Sequence, residues 1–287
     1  MEEKPILAVI GGSGFYQMPG LREIHRQDLD TPFGKPSASI VVGLIEGKWV
    51  AFLARHGVNH QFSPSEINYR ANLYALKQIG VERILSISAC GSLRDDFAPG
   101  HMVIPDQLFD FTRLRKRSFF EEGAVAHISV ADPFCPQLSR LVHESAQESG
   151  AMVHWGGALI TIEGPRFSTR TESHTFRAWG MSLIGMTASP EAFLAREAEM
   201  CYALLAHVTD YDVWHISEEP VTVEKVIEKL RSNTEIAYQV IRNLVRQMPS
   251  EWSCSCQSAL RNALITPPEA IPLETRQRLN LLIEKYL

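Results

Sequence analysis

Short runs of apolar, often β-branched residues alternate along this chain with longer stretches whose apolar positions recur at helical spacing, a pattern that predicts an α/β fold. Strands are predicted over 6–10, 38–44, 49–54, 84–88, 102–104, 158–162, 182–186 and 202–208. Glu46-Gly47-Lys48 reads as a hairpin turn, so part of the sheet is antiparallel and the sheet as a whole is mixed. Helices are predicted over 66–78, 136–147, 170–179, 190–201 and 223–246. Ser189-Pro190-Glu191 marks one start, with serine as N-cap and proline at the first helical position. The polar stretch 249–256 and the prolines at 267, 268 and 272 mark a looser region ahead of a final amphipathic helix over 273–287. The predicted organisation is a single domain over 1–253, a central mixed β-sheet flanked by helices, with a C-terminal extension over 254–287 whose last helix packs on the same domain.

With 287 residues and 45% hydrophobic content, the chain can bury a full core. Its net charge of −5 and lack of a basic stripe argue for a small substrate and against nucleic acid as partner. No stretch has the length and apolarity of a signal sequence or a bilayer span, so the expected location is the cytoplasm, with no membrane partner. Five scattered cysteines, Cys90, Cys135, Cys201, Cys254 and Cys256, read as buried free thiols. Cys254-Ser-Cys256 has no second pair and no nearby histidines, so the four ligands of a structural zinc are not expected, and no metal is predicted.

Candidate chemistry concentrates where apolar runs end. Gly11-Gly12-Ser13-Gly14 follows the first strand, where backbone amides and the Ser13 hydroxyl can approach an anion, although a plain strand-end turn would look the same. Arg55-His56-Gly57 closes a second strand, Ser88-Ala89-Cys90-Gly91-Ser92 a third, and Thr187 a fourth. Four donor-rich strand ends in one sheet suggest a phosphate pocket, since open sheets collect ligands along one edge. Thr209-Asp210-Tyr211-Asp212 follows a strand too, and on a continuing strand its two carboxylates would share a face. From the residues alone it is either a working carboxylate pair or a solvated or calcium-binding turn.

These blocks, with Thr31-Pro32-Phe33-Gly34-Lys35-Pro36-Ser37, Ala89-Cys90-Gly91-Ser92-Leu93-Arg94 and Thr161-Ile162-Glu163-Gly164-Pro165-Arg166-Phe167-Ser168, resemble the 5'-methylthioadenosine phosphorylase family in order and spacing over most of the chain. The resemblance implies a homotrimeric nucleoside phosphorylase that needs no metal or other cofactor, takes a purine nucleoside with phosphate as co-substrate, and builds each site at a subunit boundary. Carried over by position, it assigns phosphate binding to Ser13, Arg55, His56, Ser88, the amide of Ala89, and Thr187. Serines stand at 13 and 88 where threonine is common in the family, which keeps the hydroxyls.

By the same resemblance Cys90, Gly91, Phe167, Ser168, Met186, Asp210 and Asp212 surround the nucleoside, with Asp210 and Asp212 as the catalytic pair. Val223, Val226 and Ile227 line the 5' end of the sugar, and His127 comes from the neighbouring subunit. Gly185 stands where some members carry asparagine. A carboxylate at 210 accepts hydrogen bonds from an exocyclic amine and repels a carbonyl oxygen, and Ser168 replaces the glutamate of 6-oxopurine enzymes, so adenine is the expected base. The expected reaction is phosphorolysis of 5'-methylthioadenosine to adenine and 5-methylthioribose 1-phosphate, with slower use of adenosine and 2'-deoxyadenosine. The competing readings are a 6-oxopurine or methylthioinosine phosphorylase, a nucleoside hydrolase, and a nucleoside-binding protein without catalysis.

Overall fold

The computed structural model describes residues 4–12, 18–215 and 223–287, with the side chains of the last stretch described from Thr234 onward. In chain order the elements are β1 (Leu7–Gly11), β2 (Arg22–Gln27), β3 (Ile40–Ile45), β4 (Lys48–Ala54), α1 (Tyr69–Gln78), β5 (Arg83–Ser92), β6 (Met102–Ile104), β7 (Gln107–Phe111), α2 (Pro136–Glu148) and β8 (Val153–Trp155). There follow β9 (Ala158–Ile162), α3 (Arg170–Ala178), β10 (Leu183–Gly185), α4 (Ala188–Glu197), β11 (Cys201–Asp210), α5 (Val223–Gln247) and α6 (Leu273–Ile283). Among the described residues the strands form one mixed sheet of 11 strands, so the chain is a single α/β domain. No helix among them is long and apolar enough to cross a membrane.

The sheet runs β2-β3-β4-β1-β5-β10-β9-β7, and β11 lies against β5 on one side and β6 on the other. β1, β4, β5 and β11 are mutually parallel, so their carboxyl ends emerge at one edge. Glu46 and Gly47 form the two-residue hairpin between β3 and β4, both at positive φ (49° and 72°), the combination that matches the right-handed twist of the paired strands.

Side-chain alternation splits the core in two. Ala8, Ile10, Tyr202, Leu204, Ala206 and Val208 join the cluster covered by α1, α4 and α6, whereas Leu7, Val9, Cys201, Ala203 and Leu205 join that covered by α2 and α5. A strand buried on both faces has no polar alternation, which is why β11 reads as an apolar run from Cys201 to Val208 broken only by the buried His207. Truncating the fully buried Leu205 to alanine would cost roughly 2–5 kcal/mol. Leu260, Ala263, Ile271, Leu279, Leu282 and Ile283 of the C-terminal segment enter the same cluster as Leu73 of α1.

Some boundaries differ from the sequence reading, each for a local reason. α1 starts at Tyr69 because the Asn68 side chain caps it, accepting from the Ala71 amide at 3.2 Å. Ser189 is extended (φ −100°, ψ 135°) before Pro190, as a residue preceding proline prefers, and the regular helix begins at the proline. Its hydroxyl is buried without a partner among the described residues, so it makes no capping bond. α4 ends at Glu197 rather than 201, because Glu199 turns the chain at φ 54° and Cys201 already pairs with Arg83 in the sheet. β2, β7 and β8 are additional strands; β2 is almost wholly exposed and held by backbone pairing to β3.

One sequence expectation about cysteine is overturned. Cys135, at the N-cap of α2, and Cys201, opening β11, meet Cys254 and Cys256, and the four sulfur atoms all lie within 4.8 Å of one another. Four ligand atoms are therefore present; the two missing from the Cys-x-Cys pair come from distant parts of the chain.

Candidate active site

The carboxyl edge of the sheet brings most of the predicted residues together. The Arg55 amide donates to the Gly11 carbonyl at 3.0 Å, setting the end of β4 beside the end of β1. The hydroxyls of Ser88 and Thr187 are 3.2 Å apart, so β5 and the residues after β10 converge there. Ala206 pairs with Ser88, Val208 with Cys90 and Asp210 with Gly91. The register shifts between Val208 and Asp210, a bulge that re-aims the end of β11. Ser13 lies outside the described residues, as do the side chains of Val223, Val226 and Ile227.

Arg55 stands where the fixed positive charge was expected, but it is 3% exposed and already paired. Its Nε and Nη2 donate to the two carboxylate oxygens of Glu191, each at 2.9 Å. Nη2 also donates to Ser86 Oγ at 2.6 Å, and Nη1 to the Ile87 carbonyl at 3.3 Å. The Ser86 and Tyr202 hydroxyls donate in turn to Glu191, at 3.1 and 2.8 Å. Burial opposes the charge on Arg55, yet Glu191 outweighs it and raises the pKa, so the guanidinium remains charged. Of its five hydrogens, one on Nη1 has no partner among the described residues.

His56 follows on the same turn. Its Nδ1 lies 2.8 Å from the Phe62 carbonyl, which can only accept, so Nδ1 carries the hydrogen and a neutral ring presents Nε2 as an acceptor. Burial first, then the neighbouring Arg55, push its pKa down to about 4, which keeps the ring neutral near pH 7.

At the base end, the two carboxylates are joined by a turn instead of a continuing strand. β11 stops at Asp210, Asp212 adopts φ 50°, and its amide donates to Asp210 Oδ1 at 2.8 Å. The Thr209 hydroxyl donates to Asp210 Oδ2 at 2.6 Å, while Asp212 Oδ2 is buried without a partner among the described residues. Burial raises the pKa of Asp210, and burial with the adjacent Asp210 pushes Asp212 up to about 6. Each of the two therefore holds a proton to a higher pH than an exposed aspartate does.

Two glycines leave the space this arrangement needs. A Cβ on Gly91 would fall 2.9 Å from Ile184 Cγ2, 3.0 Å from Asp210 Oδ1 and 3.3 Å from Asp212 Cβ. A Cβ on Gly185 would lie 3.2 Å from Cys90 Sγ, a buried thiol whose pKa burial pushes up to about 12. Met186 is half-buried with its sulfur against Gly164, and Phe167 is 38% exposed. A cavity of 390 Å³ between β9 and α3 is lined by Glu163, Arg166, Phe176 and, of the predicted site residues, Ser168, whose hydroxyl is buried without a partner among the described residues. None of Arg55, His56, Ser88 and Thr187 lines it. His127 is exposed, on a segment whose backbone pairs with Ala263.

Sequence reading missed Glu191 and Arg115. Arg115 is buried and donates from Nη1 to the carbonyls of Met186 (2.6 Å) and Ser189 (2.7 Å) and from Nη2 to that of Glu163 (2.7 Å). It thereby fixes the segment carrying Thr187 to the end of β9. Within Arg113-Leu114-Arg115-Lys116-Arg117 it looks like one member of a solvated basic run, and only the fold distinguishes it.

Residues 6–246 match the family model described as the phosphorylase superfamily. The S-methyl-5'-thioadenosine phosphorylase of Geobacter sulfurreducens is 50% identical over 98% of this chain and 99% of its own. A crystal structure of methylthioadenosine phosphorylase from an antarctic soil metagenomic library superposes with a TM-score of 0.94 at 46% identity, covering 98% of this chain and 99% of its own. Methylthioadenosine phosphorylase from Schistosoma mansoni in complex with adenine gives 0.84 at 34% identity, covering 90% and 98%.

Proposed function

The chain belongs to the phosphorylase superfamily, among the S-methyl-5'-thioadenosine phosphorylases, and we propose that its site cleaves 5'-methylthioadenosine with phosphate to adenine and 5-methylthioribose 1-phosphate. The observation that carries this reading is the convergence of the Ser88 and Thr187 hydroxyls at the same sheet edge as a buried carboxylate pair with raised pKa. One end offers donors to an anion and the other a proton to a departing base.

In the proposed mechanism the bond between the anomeric carbon and purine N9 lengthens first, giving an oxocarbenium-like sugar. Asp210, carrying the proton of the pair, donates it to purine N7, and the base leaves as neutral adenine. A phosphate oxygen then bonds to the anomeric carbon from the opposite face, with inversion, and solvent restores the proton on the carboxylate pair. Phosphate is held by the hydroxyls of Ser13, Ser88 and Thr187, the Ala89 amide and the remaining Nη1 hydrogen of Arg55. Because Glu191 neutralises that guanidinium and His56 is neutral, the pocket binds phosphate mainly through oriented hydrogen bonds.

Cys90, Gly91, Phe167, Ser168 and Met186 surround the nucleoside, and Asp212 supports Asp210. Val223, Val226 and Ile227 line the methylthio end, which an apolar wall favours over a hydroxyl by roughly a hundredfold at most, so adenosine and 2'-deoxyadenosine turn over more slowly. Inorganic phosphate is the co-substrate, with no redox or organic cofactor. His127 completes a neighbour's site in a cytoplasmic homotrimer, a reading supported by its exposure and by Leu114, 80% exposed near the 390 Å³ cavity.

Comparing Asp210→Asn with the parent on methylthioadenosine and inosine tests the proposal. The expected result is a large loss on the adenine nucleoside and a relative gain on the 6-oxopurine. Unchanged turnover of methylthioadenosine would refute the role of Asp210.

A further inference from the structure

From the meeting of Cys135, Cys201, Cys254 and Cys256 at the amino end of β11, we infer a structural zinc site that clamps the C-terminal segment to the sheet. The four sulfurs all lie within 4.8 Å of one another, with Cys201 and Cys254 at 3.0 Å and Cys135 and Cys254 at 4.0 Å. Zinc–sulfur bonds of ~2.3 Å place tetrahedral thiolate ligands about 3.8 Å apart, so sub-ångström side-chain adjustments suffice to accept the ion. Three of the four cysteines are buried and the fourth is half-buried, which provides the closed, water-poor site that a structural metal occupies.

Independent support comes from what surrounds the sulfurs. The Trp252 indole N–H points at Cys201 Sγ at 3.3 Å, and Arg196 Nη1 at Cys256 Sγ at 3.5 Å. The Gln257 backbone amide donates to the Cys254 side chain, and the Cys254 backbone amide donates to Gln257 Oε1 at 3.3 Å. Donors aimed at three of four sulfurs suit thiolates, and the Arg196 cation offsets part of the two negative charges of a zinc tetrathiolate. Binding would release the thiol protons and leave every sulfur at its original oxidation level, so no oxidant is required.

The ligands come from the N-cap of α2, the first residue of β11 and the segment after α5; the Cys135 amide already donates to the Tyr202 carbonyl of β11 at 2.8 Å, and the Cys254–Cys256 segment reaches the same point from far along the chain. One ion therefore ties the C-terminal extension to the base of the sheet. At ~3.3 Å per residue, the length of β11 separates this site from Asp210 by about 30 Å. The metal is structural and takes no part in the cleavage.

The test is cobalt(II) titration of the reduced, full-length protein, with zinc analysis of the protein as purified. The expected results are about one zinc per chain and, on titration, the intense visible bands of tetrahedral cobalt thiolate saturating at about one equivalent. Substituting Cys201→Ser and Cys254→Ser together should abolish both. Absence of metal and of the cobalt bands would overturn the inference. So would a count of free thiols in the denatured, unreduced protein showing the four joined as disulfides. The spectroscopic readout on the unsubstituted chain does not depend on the variant folding, and neither readout depends on the catalytic reading.

Discussion

The two ends of β11 pose a similar electrostatic problem and meet it differently. At its amino end four thiols crowd together, and at its carboxyl end two carboxylates do. Neither group ionises freely when buried beside its own kind. The thiol end is enclosed by α2 and the segment after α5, can be neutralised by an ion that never leaves, and so serves the fold. The carboxylate end lies at the edge where parallel strands terminate and holds its protons to a higher pH than exposed aspartates do, which suits the proposed transfer of a proton to a departing base. What separates structure from chemistry along this strand is access, since both ends are built from groups with unmet charge.

The comparison breaks most readily at the carboxylate end. Asp210→Asn should lower kcat/KM for methylthioadenosine by roughly 10²–10⁴-fold with little change in melting temperature, measured by adenine release and thermal denaturation. A comparable loss of stability would make Asp210 structural and erase the distinction.

Glu191→Gln probes the middle of the molecule, where the two roles meet. It strands the buried Arg55 charge, so denaturant unfolding should show a loss of about 3–5 kcal/mol, and the KM for phosphate should change because the guanidinium reorients. The opposite arrangement, loss of phosphate response at full stability, would mean that Arg55 serves the ligand alone.

The pH profile sharpens the contrast. Burial raises the pKa of Asp210, the proposed donor, and the active form carries the proton, so kcat/KM should be greatest at low pH and fall as pH rises through that raised pKa, while Asp212, pushed up to about 6, loses its own proton near there. His56, pushed down to about 4, should add no inflection above pH 5. Smaller again, His127→Ala should reduce kcat/KM for methylthioadenosine severalfold, up to about tenfold, while leaving the melting temperature in place, as a residue lent to a neighbouring site would.

The same contrast governs what could be read from sequence. The apolar run of β11 and the donor-rich residues after β4 and β5 are local patterns, and they pointed to the edge where Ser88 meets Thr187 and to the Asp210–Asp212 turn. β2, Arg22–Gln27, carries no apolar face and pairs through its backbone, so no side-chain period could reveal it. The thiol cluster was illegible because residues 135, 201 and 254–256 become neighbours only through the packing of α2 and β11. Glu191 was hidden in a helix start where only the proline at 190 was read correctly, and its partnership with Arg55 spans the interior. A turn at 209–212 was one of two readings the residues left open, and only the backbone shows Asp212 at φ 50° closing it.

The most direct test of the central claim is the initial rate of adenine release from 5'-methylthioadenosine as phosphate is titrated from zero. The site described here predicts a rate that starts near zero and rises to saturation with phosphate. A rate that is substantial without phosphate and indifferent to its addition would contradict phosphorolysis and identify a hydrolase.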